Sequence, residues 1–141
     1  MPTITIDTPA PRPARRRAIA VRLTRWFADR GVDPAHVVIR FVDTGADTVF
    51  TGAVPVDALV RDADALPFAS VTCCVGPDRD EWFRADLADE IAAALRVTEQ
   101  TPFVHLEFRP TAPSLVYFAR RGRLVRADQP GSPQKQGNQN R

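Results

Sequence analysis

What this chain lacks narrows it first. No run of apolar residues approaches the ~18 to 20 needed to cross a bilayer, and the start has no apolar segment of a secretory signal. The sequence therefore reads as cytoplasmic, with no membrane partner. Cysteine is scarce: Cys73 and Cys74 are the only two, adjacent on an expected strand, so their side chains point to opposite faces. A disulfide between them is strained, no second ligand pair stands nearby, and the pair is read as packing; no metal is expected. An excess of one charge is missing too. Lys and Arg number 19 against 17 Asp and Glu, a net charge of +2, too balanced to argue for nucleic acid. No aromatic residues interleave the basic cluster.

What is present is enough apolar content, 44% of 141 residues, for one compact domain. The charge is unevenly placed: Arg12, Arg15, Arg16, Arg17, Arg22 and Arg25 crowd the first third, whereas acids dominate residues 78–90. The opening, MPTITID, alternates Ile4 and Ile6 with Thr3, Thr5 and Asp7, the period of a half-buried strand beginning directly behind Met-Pro. Prolines in TPAPRPARRR end that strand. From Ala14 to about Arg30, Ile19, Leu23 and Phe27 recur at helical spacing, Gly31 supplies the stop, and HVVIRFV reads as a second, parallel strand.

TVFTGAV predicts a short strand, and residues 55–66 a connection. The pattern then repeats after about 65 residues. LPFASVTCCVG is a strand, PDRDEWFRADLADEIAAALRV a helix with Phe83, Leu87, Ile91 and Leu95 on one face, FVHLEFR a strand, and SLVYFARRGRLV a hairpin. Pro2 corresponds to Pro67, Ile6 to Val71, Val32 to Val97 and Arg40 to His105. One helix on two strands is too little core alone. The expectation is an α+β fold: duplicated β-α-β units (about 2–58 and 67–126) form one four-stranded mixed sheet with both helices on one face. Residues 1–126 make one domain, and the polar residues 127–141 a disordered tail. The uncovered sheet face argues for a homo-oligomer.

A strand starting at Pro directly after Met, an Arg-bearing loop, a helix and a parallel strand carrying Arg resemble the tautomerase superfamily of 4-oxalocrotonate tautomerase, over roughly residues 2–126. The likeness is to the fused double form, as in the cis-3-chloroacrylic acid dehalogenase branch, and the LVYFARRGRLV ending looks like that branch. The resemblance implies a catalytic proline at the mature N-terminus, Pro2, and a homotrimer. It also implies a strand arginine, Arg40, and an aromatic wall residue, Phe50. The loop arginine of the first half is Arg12 by distance from Pro2 or Arg15 by helix register. In the second half Arg79 holds that register, and in fused members it commonly faces the proline. His105 stands where a second strand arginine would be, FTGAV lacks the family's full glycine run, and the dehalogenase's acid near the C-terminal hairpin has no clean match.

The chemistry suits these residues. An α-amino group titrates near ~7.7 to 8.0; burial and nearby arginines lower that value, leaving a free base at neutral pH. Such a base moves a proton along a conjugated system without a cofactor. Raised instead, the ammonium would act as an acid in hydration, dehalogenation or decarboxylation. Arg15, Arg16 and Arg17 at a helix N-terminus are unfavourable by about 0.3–1 kcal/mol each, a conflict an anion relieves. The second helix starts conventionally, with Asp78 as N-cap and Glu81 three residues on. Planar arginine pairing suits a small carboxylate.

His105 and Glu107 share one face of their strand, either as a pocket wall or as an exposed or subunit-facing surface. Phe50 and Tyr117 line a pocket or fill interfaces, and His36 reads as plain surface. The function expected is a cofactor-independent tautomerase acting on a small unsaturated or 2-oxo carboxylate. The alternatives are a hydratase, dehalogenase or decarboxylase with protonated proline, or a non-catalytic binding protein keeping the fold.

Overall fold

The computed structural model describes residues 1–9, 11–59 and 68–129. Strand β1 (Thr3–Thr8) leads into helix α1 (Pro13–Ala28), which returns the chain to β2 (Val38–Asp43), parallel to β1. Two dipeptide strands follow, β3 (Phe50–Thr51) and β4 (Val54–Pro55). The second unit runs β5 (Ala69–Val75), α2 (Glu81–Ala94) and β6 (Val104–Pro110), and a hairpin of β7 (Tyr117–Arg120) and β8 (Arg123–Arg126) closes the described chain. The main sheet has the order β2-β1-β5-β6, with the two halves meeting antiparallel across β1 and β5.

The register of the two halves is the same. Val38 pairs with Thr3 and Val104 with Ala69, thirty-five positions on in each case, and Arg40 beside Thr5 matches His105 beside Ser70. The alternation in β1 buries Ile4, Ile6 and Thr8, and that in β5 buries Ala69, Val71, Cys73 and Val75. Onto this face α1 packs Ile19, Leu23, Trp26 and Phe27, and α2 packs Leu87 and Ile91. Fully burying one such side chain contributes about 1.5–3 kcal/mol. Burial therefore outweighs the uncapped, acid-free first turn of α1. Both helices end alike: the Val32 and Gly31 amides donate to the Phe27 and Ala28 carbonyls, and the Val97 and Arg96 amides to those of Ala92 and Ala93. Gly31 takes φ +83 to make that turn, and Arg96 takes φ +55.

Several expectations change. The cap of α2 is Asp80, whose carboxylate accepts from the Phe83 amide at 2.8 Å, and not Asp78. Asp78 falls inside the turn closed by the Arg79 amide on the Gly76 carbonyl, three residues before the helix begins. TVFTGAV is a small hairpin rather than one strand, because Gly52 and Ala53 both take positive φ, the requirement of a type I′ turn. Arg121 and Gly122 do the same between β7 and β8. The sheet face away from the helices is largely polar: Thr3, Thr5, Asp7, Arg40, Ser70, Thr72, His105, Glu107 and Arg109 lie on it by register. Among the exposed large apolar residues, Phe50, Val54, Leu115, Tyr117 and Leu124 lie on the hairpins and the turn before the last one, and Trp82 in the first turn of α2 is the most exposed.

Residues 127–129, expected to begin the tail, form a turn in which Arg126 grips Asp128 through two hydrogen bonds of 2.9 and 3.0 Å. The tail from residue 130 and the Pro67 counterpart of Pro2 lie outside the described residues.

Candidate functional site

Because β1 and β5 run antiparallel, the start of β1 abuts the end of β5, and Thr3 pairs with Cys74. This sets buried Pro2 beside Val75 and the Gly76–Asp80 turn. Its carbonyl is held by the Val38 amide at 3.0 Å. Around it opens a cavity of about 360 Å³. One wall is apolar, with Phe27, Val32, Val75 and Phe83; the polar groups are His36, Asp33, Asp78 and Arg79, and Pro113 closes the side nearest the C-terminal hairpin.

Arg79 is held in place by its surroundings. Its guanidinium lies 4.6 Å from the centre of the Phe83 ring, a cation–π contact. The Arg84 side chain donates to the Arg79 carbonyl at 2.6 Å. The terminal amine of Met1 lies in the same cavity, and its pKa is lowered first by burial and then by the Arg79 cation, while the Asp78 carboxylate acts the other way. Asp33 is committed to capping the following turn, accepting from the Ala35 amide at 2.9 Å.

The structure brings Pro2 and Arg79 together and sets the other sequence candidates elsewhere. Arg12 is exposed past the far end of β1, where its carbonyl accepts from the Arg15 and Arg16 amides. Half-buried Arg15, also at that end, donates to the Leu95 carbonyl at 3.3 Å, and its Nε is enclosed without a partner among the described residues. Burial lowers its pKa, and Arg96 adds to this. Arg40 lies exposed on the polar sheet face, as do His105 and Glu107. Glu107 pairs with Arg109 at 3.1 Å, which holds its carboxyl below the usual range. Phe50 and Tyr117 are exposed on the two hairpins.

His36 is the residue the sequence reading missed. It is half-buried in the cavity wall, and its ring lies 5.1 Å from that of Phe118 in β7. The signal available was its place between the first helix and a strand parallel to β1, which carries it to the Pro2 end of the sheet. A buried amine position, a cation, an imidazole and a carboxylate thus share one partly apolar cavity, an arrangement able to bind an anion and move a proton.

Solved structures resemble this chain over most of its length. A fused 4-OT, solved as an asymmetric trimer, is 19% identical, with 89% of this chain and 97% of that chain covered at a TM-score of 0.61. N1, a member of the cis-3-chloroacrylic acid dehalogenase family, is 17% identical over 87% of this chain and 82% of its own, with a TM-score of 0.63. Macrophage migration inhibitory factor from Toxoplasma gondii is 18% identical over 87% and 99%, with a TM-score of 0.58. No family model and no curated protein matches the sequence. At these identities the likeness is one of fold: the chain has a fused tautomerase-like fold, two β-α-β units in one sheet.

Proposed function

We propose that this protein is a cofactor-independent tautomerase that acts on a small unsaturated or 2-oxo carboxylate, with Pro2 as its general base after removal of Met1. The observation that carries the reading is the shared cavity of Pro2 and Arg79, where burial and the cation both depress a terminal amine. With Met1 removed, the amine becomes the ring nitrogen of Pro2, one residue further into the same wall. As free base it takes the proton from an enol oxygen and returns it to carbon along the conjugated system. Arg79 binds the substrate carboxylate, the imidazole of His36 hydrogen-bonds a substrate oxygen, and Phe27 and Phe83 exclude water.

Arg12 and Arg40 belong to this reading as anion binders only through assembly, since neither lines the Pro2 cavity within one chain. A homotrimer is the assembly proposed, by analogy with the fused 4-OT trimer. A second reading, hydration, dehalogenation or decarboxylation with a protonated Pro2, is favoured by one observation, the Asp78 carboxylate that opposes Arg79 at the amine.

The test is the ketonisation of 2-hydroxymuconate or phenylenolpyruvate by the mature wild type and by Pro2→Ala. A general acid–base group contributes roughly a hundred- to ten-thousand-fold, and a loss in that range is expected. A rate no faster than buffer in the wild type, with Met1 shown by mass spectrometry to be absent, would overturn the tautomerase reading. A monodisperse monomer in sedimentation would overturn the trimer.

A further inference from the structure

The C-terminal hairpin is a separate piece of structure. Strands β7 and β8 pair with each other and not with the four-stranded sheet, and a lone two-stranded hairpin is marginal in water. Its position depends on what it touches. The preceding turn contributes Pro113 to the Pro2 cavity, and β7 turns Phe118 inward while its neighbour Tyr117 is exposed. The Phe118 ring meets His36 at 5.1 Å with the planes tilted by 52°, and the Arg120 guanidinium lies 5.4 Å from the centre of the same ring.

His36 needs such an anchor. Its backbone is held, because its amide donates to the Asp33 carbonyl at 2.9 Å and the following Val37 amide to that of Pro34. Its imidazole makes no hydrogen bond among the described residues. With no hydrogen bond to fix it, the direction in which the imidazole nitrogens point is set by what the ring packs against. Aromatic rings in contact restrict each other's rotation and prefer tilted arrangements of this kind.

We propose that Phe118 is a positioning residue of the Pro2 cavity: packed against His36, it orients the imidazole in the cavity wall and makes the C-terminal hairpin part of the site. The proposal rests on the proposed function in one respect, that His36 hydrogen-bonds a substrate oxygen. The contact itself stands apart from it.

The experiment has an arm that needs no activity. In the mature wild type, nuclear Overhauser contacts between the His36 and Phe118 ring protons are expected, with the His36 ring protons displaced by the Phe118 ring current. Their absence overturns the proposal. Phe118→Leu keeps apolar bulk and removes the aromatic face. It is expected to abolish the displacement, while the amide signals of Ile6 and Val71 in the core remain in place. If those core signals move, the wild-type ring contacts alone decide.

Where ketonisation is measurable, Phe118→Leu is expected to lower kcat/KM by about ten- to a hundredfold, the scale of a misplaced catalytic contact, and Phe118→Tyr to restore most of it. A Phe118→Leu protein with unmoved His36 ring-proton signals and an unchanged kcat/KM overturns the positioning role. If the wild type ketonises nothing, the tautomerase reading fails alone, and the ring contacts and ring-current displacements still decide the proposal.

Discussion

Ile6 and Val71 stand opposite each other across β1 and β5, and they are also each other's counterparts in the sequence repeat. A residue paired with its own counterpart marks the local twofold axis relating the halves. The two ends of the sheet are therefore equivalent in backbone but not in chemistry. At one end the Gly76–Asp80 turn leaves Arg79 in a cavity beside Pro2. At the other, Arg15, its match in helix register, is spent on the Leu95 carbonyl at the end of α2.

The same duplication gives a stability prediction. Gly31 and Arg96 hold equivalent left-handed positions after the two helices, at φ +83 and +55. A side chain in this region is disfavoured by about 1 kcal/mol relative to glycine, and Arg96 also stands close enough to Arg15 to depress its pKa. Arg96→Gly is expected to stabilise the protein by about 1 kcal/mol, and Gly31→Ala to destabilise it by a similar amount. Urea unfolding of the two variants measures both; a destabilised Arg96→Gly would mean that its side chain makes contacts worth more than the strain.

The two aspartates before α2 are separable in the same way. Asp80 caps the helix through the Phe83 amide, so Asp80→Ala should lower stability by about 1 kcal/mol. Asp78→Ala, which removes no cap, should leave the urea midpoint nearly unchanged. Equal losses in the two would return the cap to a shared role.

The cysteines differ by face. Cys73 is buried, and desolvation, with the neighbouring Cys74, pushes its thiol up to about 12 from 9.0. A native-state thiol titration near pH 8 is expected to leave Cys73 unmodified until the protein unfolds. A raised folded-state value means stability that is present below pH 9 and is lost as pH rises toward about 12, so the thermal midpoint should fall across that range. Cys73→Ala should flatten this part of the profile.

The main sheet, both helices and the closing hairpin were legible because period-two and helical spacing, a glycine stop and a 65-residue repeat all agreed. Helix ends were less so: Asp78 and Asp80 are both competent caps, and only the path of the turn decides between them. The polarity of the open sheet face was also readable, at Thr5, Arg40, His105 and Glu107, once the register was known. His36 escaped because its role comes from a cavity wall assembled by two short turns and a hairpin distant in sequence, which no local pattern announces.

The amine at the cavity separates the two proposed chemistries. In the mature protein a base mechanism requires unprotonated Pro2, so kcat/KM should rise with pH and level off above the pKa of the amine. Burial and Arg79 lower the pKa of the Met1 amine and Asp78 raises it, and the Pro2 nitrogen, one residue on in the same cavity, is expected to feel the same two charges. Arg79→Gln removes a lowering influence, so the rising limb should move to higher pH, in addition to a weaker KM for the carboxylate. Asp78→Asn removes a raising influence, so the limb should move to lower pH with less effect on KM. Titration of the Pro2 nitrogen by nuclear magnetic resonance should follow the same order: Asp78→Asn lowest, wild type between, Arg79→Gln highest. If the rate instead falls as pH rises through the wild-type value, the protonated proline is the working form and the hydratase, dehalogenase or decarboxylase reading takes the place of the tautomerase.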